Sequence, residues 1–181
     1  MIVYEVHVDW DAVNWLNVPD FTDGIDDITA YVKNKFYIDR GKKVELGNSP
    51  AGTLDLILNN ADKRFSPVYA ASPLYGKMRP WLPVRVQGTV TGGAAIVIYT
   101  GYISRISCNP HLDVQEAYLY CTDGLDLMAR NMVTVDQGER TEMSAGDAVG
   151  HVLDAAGWST SKRSIDTDGG SILNYPNVSE N

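Results

Sequence analysis

Two strand-like runs flank a glycine turn in VRVQGTVTGGAAIVIYTGYISRIS, residues 84–107 of the 181-residue chain. The runs cover residues 84–90 and 94–107, and Thr91, Gly92 and Gly93 lie between them. Glycines suit a tight turn, because they adopt backbone angles that other residues avoid. The stretch therefore predicts an antiparallel β-hairpin.

Further strand-like segments lie on both sides of this hairpin, at residues 2–8, 35–40, 53–58 and 114–121. In the last of them, alternation places Ala117, Leu119 and Cys121 together on one face. Several short strands separated by turn residues are typical of a closed or sandwiched antiparallel sheet. The predicted fold class is therefore mainly β: a β-rich α+β protein with an antiparallel β-sandwich or barrel and one or two short flanking helices.

The character of the sequence changes near Thr122, which divides the chain into two predicted parts. A chain of this length usually holds one domain, or one domain with a small appendage. Residues 1–121 are predicted to form the β domain, with a long contact loop at residues 61–83. Residues 122–181 are predicted to form a helix-containing flank, or the start of a second or inserted domain. A short helix is expected near residues 125–129, with Thr122 or Asp123 as its cap.

The clearest helix is predicted over residues 145–156. Ser144 is a natural N-cap, and Gly157 followed by Trp158 suits a Schellman ending. The apolar residues of the helix recur every three to four positions and form one narrow stripe. Because a helix of this length is marginal alone, the stripe is expected to dock on the sheet or on another chain.

The contact loop is unusually long for a compact domain, and such loops tend to serve contacts or function. Apolar side chains are mixed with its prolines, so we expect it to pack against the protein's own barrel or a neighbouring subunit. The loop, the sheet edges and the helix stripe together supply the predicted subunit contacts. The candidate residues are Phe65, Ser66, Pro67, Tyr69, Leu74, Tyr75, Trp81, Val149, Val152 and Leu153.

Composition argues against several classes of protein. Lys and Arg total 15 and Asp and Glu total 23, a net charge of −8. The basic residues are scattered, which disfavours sequence-reading nucleic-acid binding. No run approaches the ~20 apolar residues that a membrane helix requires, and the start lacks a signal-peptide pattern. Cys108 and Cys121 are too few for a disulfide framework; they are expected to be core hydrophobes, or to face each other across a hairpin.

The sequence contains no recognisable catalytic pattern. It has no nucleophile elbow, zinc-binding His-Glu-x-x-His, phosphate-binding loop or dinucleotide fingerprint, and its three histidines lack metal-ligand spacing. Acidic clusters at residues 9–11, 20–27 and 166–168 are interpreted as a strand end, a solvated loop and a turn. We therefore expect no enzymatic activity, no catalytic residue and no cofactor or metal site. Aromatic residues in loops, among them Trp10, leave carbohydrate stacking open.

Several segments, in order along the chain, resemble one protein family. The longest is GNSPAGTLDLILNNADKRFSP (47–67), followed by SPLYG (72–76) and PVRV (83–86). The others are VDWD (8–11), YTGYISRI (99–106), CTDGL (121–125), VLDAAGW (152–158) and RSID (163–166), the last matching a strand. In this order, the chain resembles the N-terminal region of the minor-tail and tail-hub proteins of long-tailed bacteriophages and prophages.

The resemblance implies a fold related to the tail-tube subunit, assembled into a ring that continues the channel of the tail tube. The implied partners are copies of the chain itself and neighbouring tail-tube and tail-tip proteins, with phage DNA passing through the channel unbound. A net charge of −8 fits such a channel, because like charges repel. The protein would be made in the bacterial host cytoplasm and reside in the virion, at the tail tip or baseplate.

Two points stay open within this interpretation. Family members usually continue beyond the segment that matches residues 171–175, so the ring could be trimeric or hexameric. The alternative function is a receptor- or carbohydrate-binding module at the tail tip, because tail tips meet the host surface.

Overall fold

The computed structural model describes residues 2–16, 18–33, 36–39, 50–109, 115–130, 140–165 and 172–175, with the backbone alone for 140–143, 162 and 172–175. The chain divides into two compact units. The first unit comprises Met1–Trp15 and Pro19–Leu127, and the second comprises Leu16–Val18 and Met128–Asn181.

Six strands form the sheet of the first unit. They are β1 (Ile2–Val8), β2 (Tyr37–Asp39), β3 (Thr53–Asn59), β4 (Pro83–Val90), β5 (Ala95–Cys108) and β6 (Glu116–Thr122). All neighbouring strands are antiparallel, in the order β1-β4-β5-β6-β3-β2, and the sheet curls into a half-barrel. The mainly-β prediction is confirmed, and among the described strands β1 and β2 lie at the two ends of the sheet.

Alternation along the strands places one face of the sheet in the core. Leu56 of β3 pairs with Leu119 of β6, and both side chains are almost fully buried. The shared face predicted for Ala117, Leu119 and Cys121 of β6 is confirmed, and their burial shows that it is the core face. A short period-2 pattern was sufficient here because one face of these strands is covered and the other is not.

The hairpin at residues 84–107 is confirmed as β4 and β5. Gly92 adopts a φ of 82°, and the N–H of Gly93 donates to the carbonyl of Val90 at 2.7 Å. A register shift between Val86 and Gln87 marks a bulge in the pairing of the two strands. Bulges of this kind increase the local twist of the paired strands.

The acidic segment after β1 differs from the predicted solvated loop. Asp26 is only 2% exposed and accepts the backbone N–H groups of Trp10 at 3.4 Å and Asp23 at 3.2 Å. Asp9 is 5% exposed and accepts the N–H of Asp20 at 2.9 Å. Desolvation by burial raises the pKa of Asp26 to about 6, with the Asp9 carboxylate adding to the shift. These two carboxylates supply hydrogen bonds that the irregular backbone lacks, so their role is structural.

The predicted helix ends are confirmed. Helix α1 (Gly124–Arg130) follows Asp123, whose carboxylate accepts the N–H of Leu125 at 3.0 Å, so Asp123 is the cap. In the second unit, the hydroxyl of Ser144 caps helix α2 (Ala145–Ala155) by accepting a first-turn N–H at 3.0 Å.

The end of α2 is a Schellman motif. Gly157 adopts a φ of 72°, and the N–H of Trp158 donates to the carbonyl of Leu153 at 2.8 Å. This is the six-to-one bond that defines the motif, and only glycine adopts the left-handed angle without strain.

A small sheet in the second unit was not predicted. It pairs β7 (Arg140–Ser144) with β8 (Ile172–Tyr175). The predicted strand at 163–166 is wrong for residues 163–165, which are irregular; the backbone N–H of Arg163 closes the turn at Thr160–Lys162, and its side chain donates to the carbonyl of Gly150 at 2.9 Å. Residue 166 and the acidic cluster at 166–168 lie outside the described residues.

Both cysteines are free thiols in buried or partly buried positions. The strand register pairs Cys108 with Ala117 and Cys121 with Ile103, so the two do not face each other. Burial raises the pKa of both thiols, as expected of core hydrophobes.

Candidate interaction surfaces

The predicted contact loop of residues 61–83 is a succession of tight turns that ends where β4 begins, at Pro83. Six N–H groups each donate to the carbonyl three residues earlier, at 2.9–3.1 Å: those of Lys63, Ser66, Tyr69, Ser72, Tyr75 and Lys77. The side chain of buried Asn60 fixes the first turns by accepting the N–H of Phe65 at 2.8 Å and donating to the hydroxyl of Ser66 at 3.0 Å. The loop therefore has a defined shape of its own.

The predicted contact residues of this loop divide into two groups. Phe65 and Leu74 are fully buried in the protein's own core, where they anchor the loop to the sheet. In this fold they leave no surface for a second chain. The remaining candidates are Ser66 and Trp81, which are partly buried, and Pro67, Tyr69 and Tyr75, which are exposed.

Exposed apolar residues gather on three adjacent strand segments, which we name the ribbon: Ile2–Tyr4 of β1, 87–90 of β4 and 95–97 of β5. The register places Ile2 opposite Val90 and Ile96 opposite Gly88, which itself faces Tyr4. Six large side chains on the ribbon are 42–64% exposed: Ile2, Val3, Tyr4, Val90, Ile96 and Val97. Scattered apolar residues are normal on a surface, whereas an adjacent set marks a contact site.

One side of the ribbon continues the core face of the sheet. Val6 and Val8 are buried on that face, and alternation places Tyr4 and Ile2 next along it. The ring of Tyr4 meets that of Phe36 edge to face, with centroids 5.4 Å apart, yet 42% of Tyr4 is exposed. The apolar face thus extends beyond the residues that cover it.

Sequence reasoning named the sheet edges as contacts but did not identify these ribbon residues. A signal was present: Ile2, Val3 and Tyr4 are consecutive apolar residues, as are Ile96 and Val97. A strand with one solvated face alternates, so consecutive apolar residues indicate that both faces avoid water.

The predicted stripe of α2 is only partly covered within the second unit. Ala148 is buried, Val152 and Leu153 are partly buried, and Val149 is 51% exposed. Val149 therefore remains available as a contact residue.

The described part of the chain lacks a cluster of metal-ligating side chains. No group of three or more His, Cys, Asp or Glu side chains there is placed to hold a metal ion. His7 lies in β1 and His151 in α2, while His111 is outside the described residues. Trp10 is 1% exposed, so it is not available to stack on a sugar.

The chain was compared with models of known protein families and with curated proteins. No family model and no curated protein matches it. Among the described residues, no helix combines the length and the apolar character needed to cross a membrane.

Proposed function

We propose that this chain is a structural protein of a bacteriophage or prophage tail tip, whose copies join into a ring that continues the tail-tube channel and docks other tail proteins. The proposal combines the resemblance of the ordered segments with one observation that carries it, the exposed apolar ribbon. A solvated monomer gains nothing from such a surface, whereas an assembly buries it.

The ribbon favours assembly because it has two different open edges. Ile2–Tyr4 pair with β4 on one side, and no described strand pairs with their other side. Residues 95–97 of β5 also pair with β4 on one side, and no described strand pairs with their other side. Open edges with apolar side chains are templates for pairing with another chain. If the β1 edge of one copy meets the β5 edge of the next, the contact is head-to-tail, and such contacts generate a ring when the rotation between copies closes.

The net charge of −8 is consistent with this role. DNA is held by clustered Lys and Arg that displace its counterions, and an acidic channel wall would let it pass without adhering. Replacing Asp or Glu residues of the channel wall by Lys is expected to slow DNA ejection, and unchanged ejection would contradict this part of the proposal.

Mixing two edge variants tests the assembly. Ile2→Lys blocks the β1 edge and Ile96→Lys blocks the β5 edge, each by placing a charge where an apolar contact is needed. Native mass spectrometry and negative-stain imaging across a concentration series should show trimeric or hexameric rings for the wild type. Each variant alone should be monomeric, and a mixture should give dimers, because one intact edge of each kind remains.

The control is Val13→Lys, since Val13 is 71% exposed and lies outside the ribbon. It should form rings like the wild type. A wild type that stays monomeric at every concentration would overturn the ring. Dimers of Ile96→Lys alone would mean that β1 edges pair with each other, which contradicts the head-to-tail arrangement.

The alternative function, glycan or receptor binding, is favoured by Tyr69 and Tyr75, which are 39% and 55% exposed on a loop of fixed shape. Aromatic rings of this kind can stack on sugars. A glycan array followed by sugar titration separates the two functions, since saturable binding lost in Tyr75→Ala would support the alternative.

A further inference from the structure

A groove of about 350 Å³ lies between the contact loop and β5. Met78 and Pro80 from the loop and Ile106 from the strand give it apolar walls, and Arg79 and Arg105 also line it. It shares no residue with the ribbon. An inference about the groove therefore does not depend on ring assembly.

Neither arginine forms an ion pair with a carboxylate in the described part of the chain. The guanidinium of Arg105 lies over the ring of Tyr120, 4.1 Å from its centroid. That of Arg79 donates to the backbone carbonyl of Ala12. These contacts orient both groups without supplying a negative charge. In a chain with net charge −8, two such arginines beside one groove favour an anionic occupant.

The walls of the groove are held in place before any ligand arrives. The N–H of Trp81 donates to the carbonyl of Ile103 at 2.6 Å, which ties the loop to β5 beside the groove. The hydroxyl of Ser104 donates to the carbonyl of Tyr120 at 2.9 Å, and the thiol of Cys108 to that of Phe65 at 3.0 Å. A site that is already ordered loses less entropy on binding.

Trp81 also adopts a φ of 69°, a left-handed angle that is strained for a bulky residue. The fold maintains this angle next to Pro80 of the groove wall. Backbone strain of this kind clusters at sites where a ligand is gripped.

We propose that this groove binds an extended segment of a partner protein in which an acidic side chain stands next to aliphatic ones. The carboxylate would meet the guanidinium of Arg105 or Arg79, since arginine binds carboxylates in a bidentate manner. The aliphatic neighbours would pack on Met78 and Ile106, and the flexible thioether of methionine adapts to irregular partners. Apolar walls with few oriented polar groups are the usual composition of a specific site.

The test is a titration of the whole chain, labelled at its methionine methyl groups, with Ac-Leu-Glu-Leu-NH2 and with the neutral Ac-Leu-Gln-Leu-NH2, followed by NMR. The Met78 methyl signal should shift and saturate with the Glu peptide, and the Gln peptide should bind about tenfold more weakly. Arg105→Gln should weaken binding of the Glu peptide by a similar factor. Arg85→Gln is the matched control, because Arg85 also stacks on a ring, that of Phe21 at 4.4 Å, and lies outside the groove.

Three results would overturn the inference. Equal binding of the two peptides would remove the role of the arginines, and this comparison needs no variant to fold. An unmoved Met78 signal would mean that the groove is not the site. Shifts at Met78 that depend on protein concentration without peptide would mean that a second copy fills it. Rings that persist while the peptides fail would refute the groove alone and leave the tail-tip proposal standing.

Discussion

Gly101 in β5 has no room for a side chain. A Cβ at this position would lie 2.5 Å from the Thr122 carbonyl oxygen, 2.5 Å from the Tyr99 hydroxyl and 2.7 Å from Cε1 of the same ring, where ordinary contacts begin at 3.4 Å. Thr122 is the last residue of β6, and it pairs with Tyr102 of β5. The Thr122 carbonyl therefore cannot move away from Gly101 without weakening the hydrogen bonds between β5 and β6.

Gly101→Ala is expected to lower the free energy of unfolding by ~2–4 kcal/mol. Overpacking a core costs ~1–3 kcal/mol, and loss of one ladder hydrogen bond adds ~1 kcal/mol. Urea unfolding followed by tryptophan fluorescence measures the change. The matched control is Gly24→Ala, because nothing lies within 4 Å of a Cβ there, and it should stay within ~0.5 kcal/mol of the wild type. A loss below ~1 kcal/mol for Gly101→Ala would refute the close approach of β5 and β6.

Three further changes test individual groups. Tyr99→Phe should leave stability unchanged or raise it by ~1 kcal/mol in urea unfolding, because the buried hydroxyl has no partner among the described residues. Carbon-13 NMR should give Asp26 a pKa of about 6. Because this folded-state value exceeds the ordinary 3.8, the wild type should lose stability relative to Asp26→Asn as pH rises from about 4 to about 6, and a constant difference would contradict it. Ser144→Ala should destabilise α2 by ~1 kcal/mol, which amide hydrogen exchange in that helix would report.

Local patterns predicted the elements whose stabilising contacts are close in sequence. The hairpin turn at Gly92, the cap at Ser144 and the ending at Gly157 each depend on a few neighbouring residues, so their chemistry is visible in the chain. The strands of the sheet alternate because one face is covered, and that alternation needs no knowledge of the partner strand.

Features that depend on distant residues were not predictable in this way. Asp26 was interpreted as a solvated residue because it stands among other acids, yet it is buried near the end of β1, where its carboxylate accepts the N–H groups of Trp10 and Asp23. The strands β7 and β8 pair across a long separation in sequence, and neither alternates strongly enough to be recognised alone. Propensity is a weak guide wherever a long-range contact supplies the missing partner.

The predicted contact residues also depend on distant parts of the chain, so their exposure could not be predicted from local sequence. Phe65 and Val68 lie three positions apart on the contact loop, and both are apolar, yet Phe65 is fully buried and Val68 is 89% exposed. An apolar residue type indicates only that exposure of the side chain to water is unfavourable. Whether the covering atoms come from the same chain is decided by the turns between Asn60 and Tyr75, which direct Phe65 inward. Ile2 and Val6 differ in the same way on one face of β1, since Val6 is buried by this chain and Ile2 is 53% exposed. The exposed member of each pair, rather than the apolar residue as such, is therefore where a partner chain should be sought.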